Sequence, residues 1–190
     1  VWFGADGSGG GSAVLKKVST TTLAVTDVTI PGPGLMTGGF AFDGSTMWVG
    51  GAGRVVQLSL AGAVQRSVTI AGSARGLVFD GTYVWAAATD TNRVYRIDPA
   101  TGAATFVSVS GSPLQLAFDG SDVWVTRYDD NKATRTRPAT LAVIEVATQG
   151  NPQSIAFDGR FLWVANEATG SLTRIDPTAT PTPTVTNFAS

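Results

Sequence analysis

The sequence predicts an all-β chain, a β-propeller of about five four-stranded blades whose first blade lacks its inner strand within this segment. Three observations predict it. Good helix formers are scarce, with three Lys and two Glu in 190 residues, while Thr and Val are plentiful. A unit recurs: Phe42-Asp43-Gly44 leads to Trp48, Phe79-Asp80-Gly81 to Trp85, Phe118-Asp119-Gly120 to Trp124 and Phe157-Asp158-Gly159 to Trp163, always six residues from Phe to Trp. The last four tryptophans stand 37, 39 and 39 positions apart, a blade-sized period, and short turn signals divide each unit into strands.

Blade 1 spans about residues 1–37 and keeps only a remnant of the motif, Val1-Trp2-Phe3. Blade 2 covers about 38–74 and blade 3 about 75–113, the latter with the turn Asp98-Pro99-Ala100-Thr101-Gly102, where Pro presets φ and Gly closes the loop. Blade 4, about 114–152, reads as strands at 114–118, 122–126, 132–137 and 142–148, with Asp119-Gly120 as a hairpin signal between the first two. Blade 5, about 153–190, ends in a Pro/Thr-rich stretch at 177–184, expected to run outward as a stiff extended segment. The whole chain reads as one domain. Neither end supplies an inner strand for blade 1, and the chain opens at Val1 inside a motif, so it is expected to belong to a longer polypeptide or an oligomeric assembly.

What recurs in every unit is structural. Trp2, Trp48, Trp85, Trp124 and Trp163 are read as fillers between stacked sheets, and Asp43, Asp80, Asp119 and Asp158 as turn residues. The chain has no Cys and no His, which excludes imidazole acid-base chemistry, Ser-His or Cys-His nucleophiles, disulfides and ordinary zinc sites. A net charge of −1 with no basic run beyond Lys16-Lys17 argues against nucleic acid. No apolar stretch approaches about 18 residues, so no membrane insertion is expected.

The pattern F-D-G-x-x-V-W-V, then x-V-x-R-I-D-P-A-T-G, then a Gly-Ser-Pro step into the next strand, resembles propeller repeats of the YVTN and NHL type, including the virginiamycin B lyase-like group. Residues 79–118 and 157–177 carry the resemblance best; residues 1–41 match poorly, and Arg135-Thr136-Arg137-Pro138 departs from R-I-D-P. It implies a propeller whose second-to-third-strand loops and fourth-to-first-strand loops share one binding face. The lyase histidine has no counterpart in a chain without histidine.

On that face the loop of blade 4, from Arg127 and Tyr128 through Asp129, Asp130 and Asn131 to Lys132, combines an aromatic with charged and amide groups suited to a sugar or peptide. Asp90 and Asn92 of blade 3, and Asn166 and Glu167 of blade 5, extend the candidate surface. Asp129-Asp130-Asn131 lacks EF-hand spacing, and the Gly-rich stretches 7–11 and 32–39 precede no helix or Lys-Ser/Thr pair, so neither a metal nor a phosphate site is expected. No cofactor and no catalytic residue are predicted. The expected function is a non-enzymatic interaction module of a surface or virion assembly, such as a phage tail or fibre component or a bacterial adhesin. Its partners would be other protein subunits or a glycan receptor, in an extracellular, cell-surface or virion setting. The alternatives are a purely structural spacer and a metal-dependent lactonase- or lyase-like enzyme. The second would want carboxylates at the inner-strand positions, where the sequence has Gly39, Arg75, Gln115 and Gln153.

Overall fold

A computed structural model describes residues 2–5, 12–32, 39–179 and 182–189. The first sheet is three-stranded and antiparallel, β1 (Trp2–Ala5), β2 (Ala13–Val18) and β3 (Val25–Ile30) in that order, so no inner strand flanks β1 among the described residues. A six-stranded sheet follows, with β4 (Phe40–Phe42), β5 (Met47–Leu58), β6 (Val64–Phe79), β7 (Val84–Ala88), β8 (Arg93–Ile97) and β9 (Ala104–Ser108) in sequence order. Two four-stranded sheets complete the chain. They are β10 (Pro113–Phe118) to β13 (Val143–Ala147), through β11 (Val123–Arg127) and β12 (Lys132–Thr136), and β14 (Pro152–Phe157) to β17 (Thr184–Phe188), through β15 (Leu162–Asn166) and β16 (Ser171–Asp176).

The six-stranded sheet is two blades run together. A straight strand as long as β5 would reach about 40 Å, yet Gln57 Nε2 donates to Thr46 Oγ1 at 3.1 Å. The chain therefore folds back inside β5, at Gly53 with φ +73°. Likewise β6 pairs with β5 from Val64 to Ser73 and with β7 from Ala74 to Phe79, so its first part is the outer strand of blade 2 and its second the inner strand of blade 3. Gly72, φ +86°, marks the change of partner.

The Pro/Thr-rich stretch does not lead outward as the sequence suggested. The chain turns back after Pro177, with Asp176 accepting from Thr178 N and Oγ1 at 3.0 and 2.7 Å, and Thr184–Phe188 pairs with β16 as the outer strand of blade 5. The open edge of β16 and the β-prone run Thr-Val-Thr account for the difference. Residues 180 and 181, and the Gly-rich stretches 7–11 and 33–38, lie outside the described residues.

Four apolar clusters join successive blades. Trp48, Trp85 and Trp124 are fully buried in three of them, whereas Trp163 is half-buried. The recurrent Asp and Trp prove to be one device. In each motif Asp Oδ1 accepts the backbone N–H groups two and three residues on, and Oδ2 accepts the indole N–H across the hairpin, at 2.7 Å from Trp48, 2.6 Å from Trp85, 2.7 Å from Trp124 and 2.7 Å from Trp163. A buried indole N–H needs an acceptor, which explains the unvarying Phe-to-Trp spacing. The bonds hold Asp158 below the ordinary aspartate range, first through Phe161 N–H and then through Trp163. Asp119→Asn keeps an oxygen for the turn but sets an amide N–H against the indole N–H. We expect it to cost about 1–3 kcal/mol, checked by urea unfolding, whereas a neutral result would confine the carboxylate to the turn.

Candidate loop-face site

The second strands β7, β11 and β15 end on one rim at Ala88, Arg127 and Asn166. Arg127 is only 2% exposed, so it is not the free loop cation its position in the sequence suggested. Its Nε donates to Ser110 O at 2.7 Å and its Nη1 to Thr134 Oγ1 at 3.3 Å, while Glu145, Asp130 and Ser110 Oγ complete the set of acceptors. Lys132 reaches Glu145 Oε2 at 2.7 Å. Asp130 is thereby turned beneath its loop, bonded also by Ser110 Oγ at 2.6 Å.

Asn92 and Asn131 lock adjoining blades. Both adopt left-handed φ of 55°, where Asn is tolerated better than most side chains. Asn92 Oδ1 accepts Ser112 N–H at 3.0 Å and Asn131 Oδ1 accepts Asn151 N–H at 2.8 Å, while their carbonyls accept Val109 and Thr148 N–H, each at 2.9 Å. Asp90 takes Ser73 N–H at 2.6 Å and its hydroxyl at 3.1 Å, and the backbone bond leads in holding its carboxyl below the usual range. Asn166 is buried and bonds Ser171 and Thr173 of its own blade, with Thr173 Oγ1 at 3.0 Å.

Tyr128, Gln153 and Glu167 meet at the surface between blades 4 and 5, and Asp129 stands next to Tyr128 on the side of the loop that joins blade 3 to blade 4. Tyr128 Oη donates to Glu167 Oε2 at 2.9 Å, and Gln153 Nε2 donates to the same oxygen at 3.2 Å. The bond to Glu167 holds the phenol above its ordinary pKa, with burial and the carboxylates of Glu167 and Asp129 adding to it. Ser112 Oγ donates to Asp129 Oδ2, and Asn151 Nδ2 donates to Tyr128 O at 3.2 Å. Asp129, Gln153 and Glu167 are exposed and Tyr128 half-buried. Glu167 Oε1 and Asp129 Oδ1 meet no donor among the described residues, leaving an aromatic edge beside two accepting carboxylate oxygens.

Gln153 enters this group because of a β-bulge. The β14–β15 register slips between Pro152 and Ser154, as the β6–β7 register does between Ala74 and Gly76, putting Gln153 and Arg75 at equivalent bulged positions on the rim. Sequence reading placed Gln153 on an inner strand but did not join it to Tyr128 and Glu167, which lie 25 and 14 residues away. It also gave no role to Ser110, Ser112 or Glu145, whose part depends on pairing across blades. At the opposite end, a groove between blades 4 and 5 is lined by Asp122, Arg135, Arg137 and Arg160. There Asp122 is buried between Arg137 Nε at 3.2 Å and Arg135 Nε at 3.6 Å, a pairing internal to blade 4. Among the described residues no three Asp, Glu, His or Cys side chains converge as a metal would need.

No family model and no curated protein matches the chain. Solved structures do. A streptogramin B lyase is 17% identical with a TM-score of 0.78, over 93% of this chain and 62% of that one. A virginiamycin B lyase from Staphylococcus aureus is 16% identical with a TM-score of 0.74, over 93% and 63%. A chain of a nidogen/laminin complex is 17% identical with a TM-score of 0.70, over 94% and 72%. This chain thus spans less than two thirds of the length of the lyase chains it matches. Identities this low carry the fold alone, and the neighbours' differing names attach no one activity to it. With its antiparallel sheets stacked one on the next, the chain is an all-β protein of β-propeller fold, structurally similar to the virginiamycin B lyase type.

Proposed function

We propose that the chain is a non-enzymatic binding module of an extracellular, cell-surface or virion assembly, whose loop face takes a glycan or protein ligand between blades 4 and 5. The observation that carries this reading is half-buried Tyr128 beside exposed Asp129, Gln153 and Glu167, on a base fixed by buried Arg127. A phenol offers a face for a sugar ring or a peptide side chain, and outward carboxylate oxygens accept hydroxyl or amide hydrogens. Arg127 ties the base to Ser110, Thr134, Asp130 and Glu145, which limits the ordering lost on binding. Screening on glycan arrays, with surface and receptor proteins as a second arm, followed by titration of each hit, tests the reading. A Tyr128→Ala, Asp129→Ala double variant is expected to weaken binding by about tenfold or more while the unfolding midpoint holds. A chain that binds in neither arm, or binds equally well with both residues replaced, overturns it.

A further inference from the structure

Each junction between blades is built from two recurring devices, and both recur on the far side of blade 5, where none of the described residues covers them. The first is an apolar row on the tryptophan face. In blade 4 the register pairs Ala117 with Trp124 and Ala133 with Val146, and all four are buried under blade 5. In blade 5 the same register pairs Ala156 with Trp163 and Leu172 with Phe188. Here Ala156 is exposed, Trp163 only half-buried, Leu172 46% exposed and Phe188 40% exposed.

The second device is a cation on each blade that donates to a backbone carbonyl in the third-to-fourth-strand turn of the next. Lys17 Nζ reaches Leu60 O at 2.6 Å and Arg66 Nη2 reaches Ala100 O at 2.8 Å. Arg96 Nη1 reaches Pro138 O at 2.6 Å and Arg135 Nη1 reaches Pro177 O at 3.3 Å. Arg96, Arg135 and Arg174 are the residues paired with Trp85, Trp124 and Trp163. Arg174 turns back on its own blade instead, donating to Thr186 Oγ1 at 3.3 Å and lying over the rings of Phe161 and Phe188.

We propose that this face of blade 5 is the docking surface for a further propeller blade. The partner is a four-stranded antiparallel sheet that lays aliphatic side chains over Trp163 and Leu172 and presents a turn carbonyl to Arg174. Continuity with the existing junctions selects this occupant, since both devices are satisfied by a blade at the preceding junction. A second copy stacked head to tail fits worse. The side of blade 1 away from blade 2 carries the Lys16–Asp27 ion pair, 2.5 Å long, and pressing that pair against Trp163 and Leu172 would desolvate both charges. The size of the similar propellers agrees, because more than a third of the streptogramin B lyase chain lies beyond the part matched here, room for about two to three more blades.

The test appends, after Ser190, a copy of residues 114–152 in one protein and of residues 153–190 in another. Acrylamide quenching is read as the difference between each protein and its Trp163→Phe version, which isolates Trp163. Trp163 is expected to be readily quenched in the original chain and protected several-fold in an extended one. Leu172→Arg should restore quenching in the extended chain while leaving the unfolding midpoint of the original unchanged. The proposal is overturned if Trp163 stays equally open to quencher in both extended proteins. It is also overturned if Trp163 in the original chain becomes protected as protein concentration rises, which would make a second copy the occupant.

Discussion

Replacing Trp124 with alanine is expected to remove about 3–5 kcal/mol of unfolding free energy, a large share of the 5–15 kcal/mol typical of a domain. The indole is fully buried, sits in the cluster that holds blade 4 to blade 5, lies beneath the Arg135 guanidinium, and is the donor to Asp119 Oδ2. Its loss leaves a cavity between two sheets and a carboxylate oxygen without its partner. Trp163→Ala removes the same atoms from the same repeat position, with the same bond to Asp158, but from a half-buried site. It is therefore expected to cost less than half as much. Urea midpoints at constant m compare the two. Equal losses would mean that the far side of blade 5 is no more open than the junctions inside the chain, whereas a drop in m for Trp124→Ala would mark blades unfolding separately.

That contrast shows which parts of the fold a repeat makes legible. Each motif signals a turn and a large apolar residue at fixed separation, so the strands of blade 4, expected at 114–118, 122–126, 132–137 and 142–148, fall within a residue of those observed. What joins Asp119 to Trp124 was not legible, because a separation of five gives no direction until a hairpin brings the two face to face. The fused strands β5 and β6 were missed for a related reason. Gly50-Gly51-Ala52-Gly53 reads as a loop by composition, but the reversal at Gly53 is tight enough for extended pairing to continue through it. The Pro/Thr stretch misled in the opposite sense, since its composition suggests a linker while the free edge of β16 draws Thr184–Phe188 into the sheet.

The candidate site was legible as a place and less so as a set of partners. The polar loop of blade 4 departs from its siblings, which picked out Tyr128 and Asp129 and joined Glu167 to them. Burial was invisible to that reading. Arg127 and Asn166 close second strands whose alternate residues face the preceding blade, so a polar residue there points inward and must find partners. Arg127 finds them on four separate segments, at Ser110, at Asp130, at Thr134 of β12 and at Glu145 of β13, none of which adjoins it in sequence.

Arg127 therefore carries the second large expected effect. Arg127→Ala removes a buried guanidinium from between Asp130 and Glu145 and leaves Ser110 O without its donor. Breaking a fully buried pair costs about 3–5 kcal/mol. Because the side chains of Asp130 and Glu145 are 29% and 48% exposed and can regain water, about 2–3 kcal/mol is expected. The pH dependence has a definite sign. Asp130 is held below its ordinary value by Ser110 and then by Arg127, and Glu145 by Lys132 and then by Arg127. Depressed carboxylates contribute stability that is fully present above their unfolded values, near 3.8 and 4.5, and is lost as pH falls through the lower folded values. Wild-type stability should thus decline from about pH 5 downward. Arg127→Ala should start lower and decline less steeply, with Ser110 and Lys132 keeping part of the slope. Arg127→Lys should not restore it, since one ammonium cannot reproduce a planar fork serving the Ser110 carbonyl, Thr134 and two carboxylates at once. Urea titrations across that range decide the matter. A lysine variant matching wild type in both midpoint and slope would show that charge alone, and not the guanidinium geometry, holds the loop under Tyr128 in place.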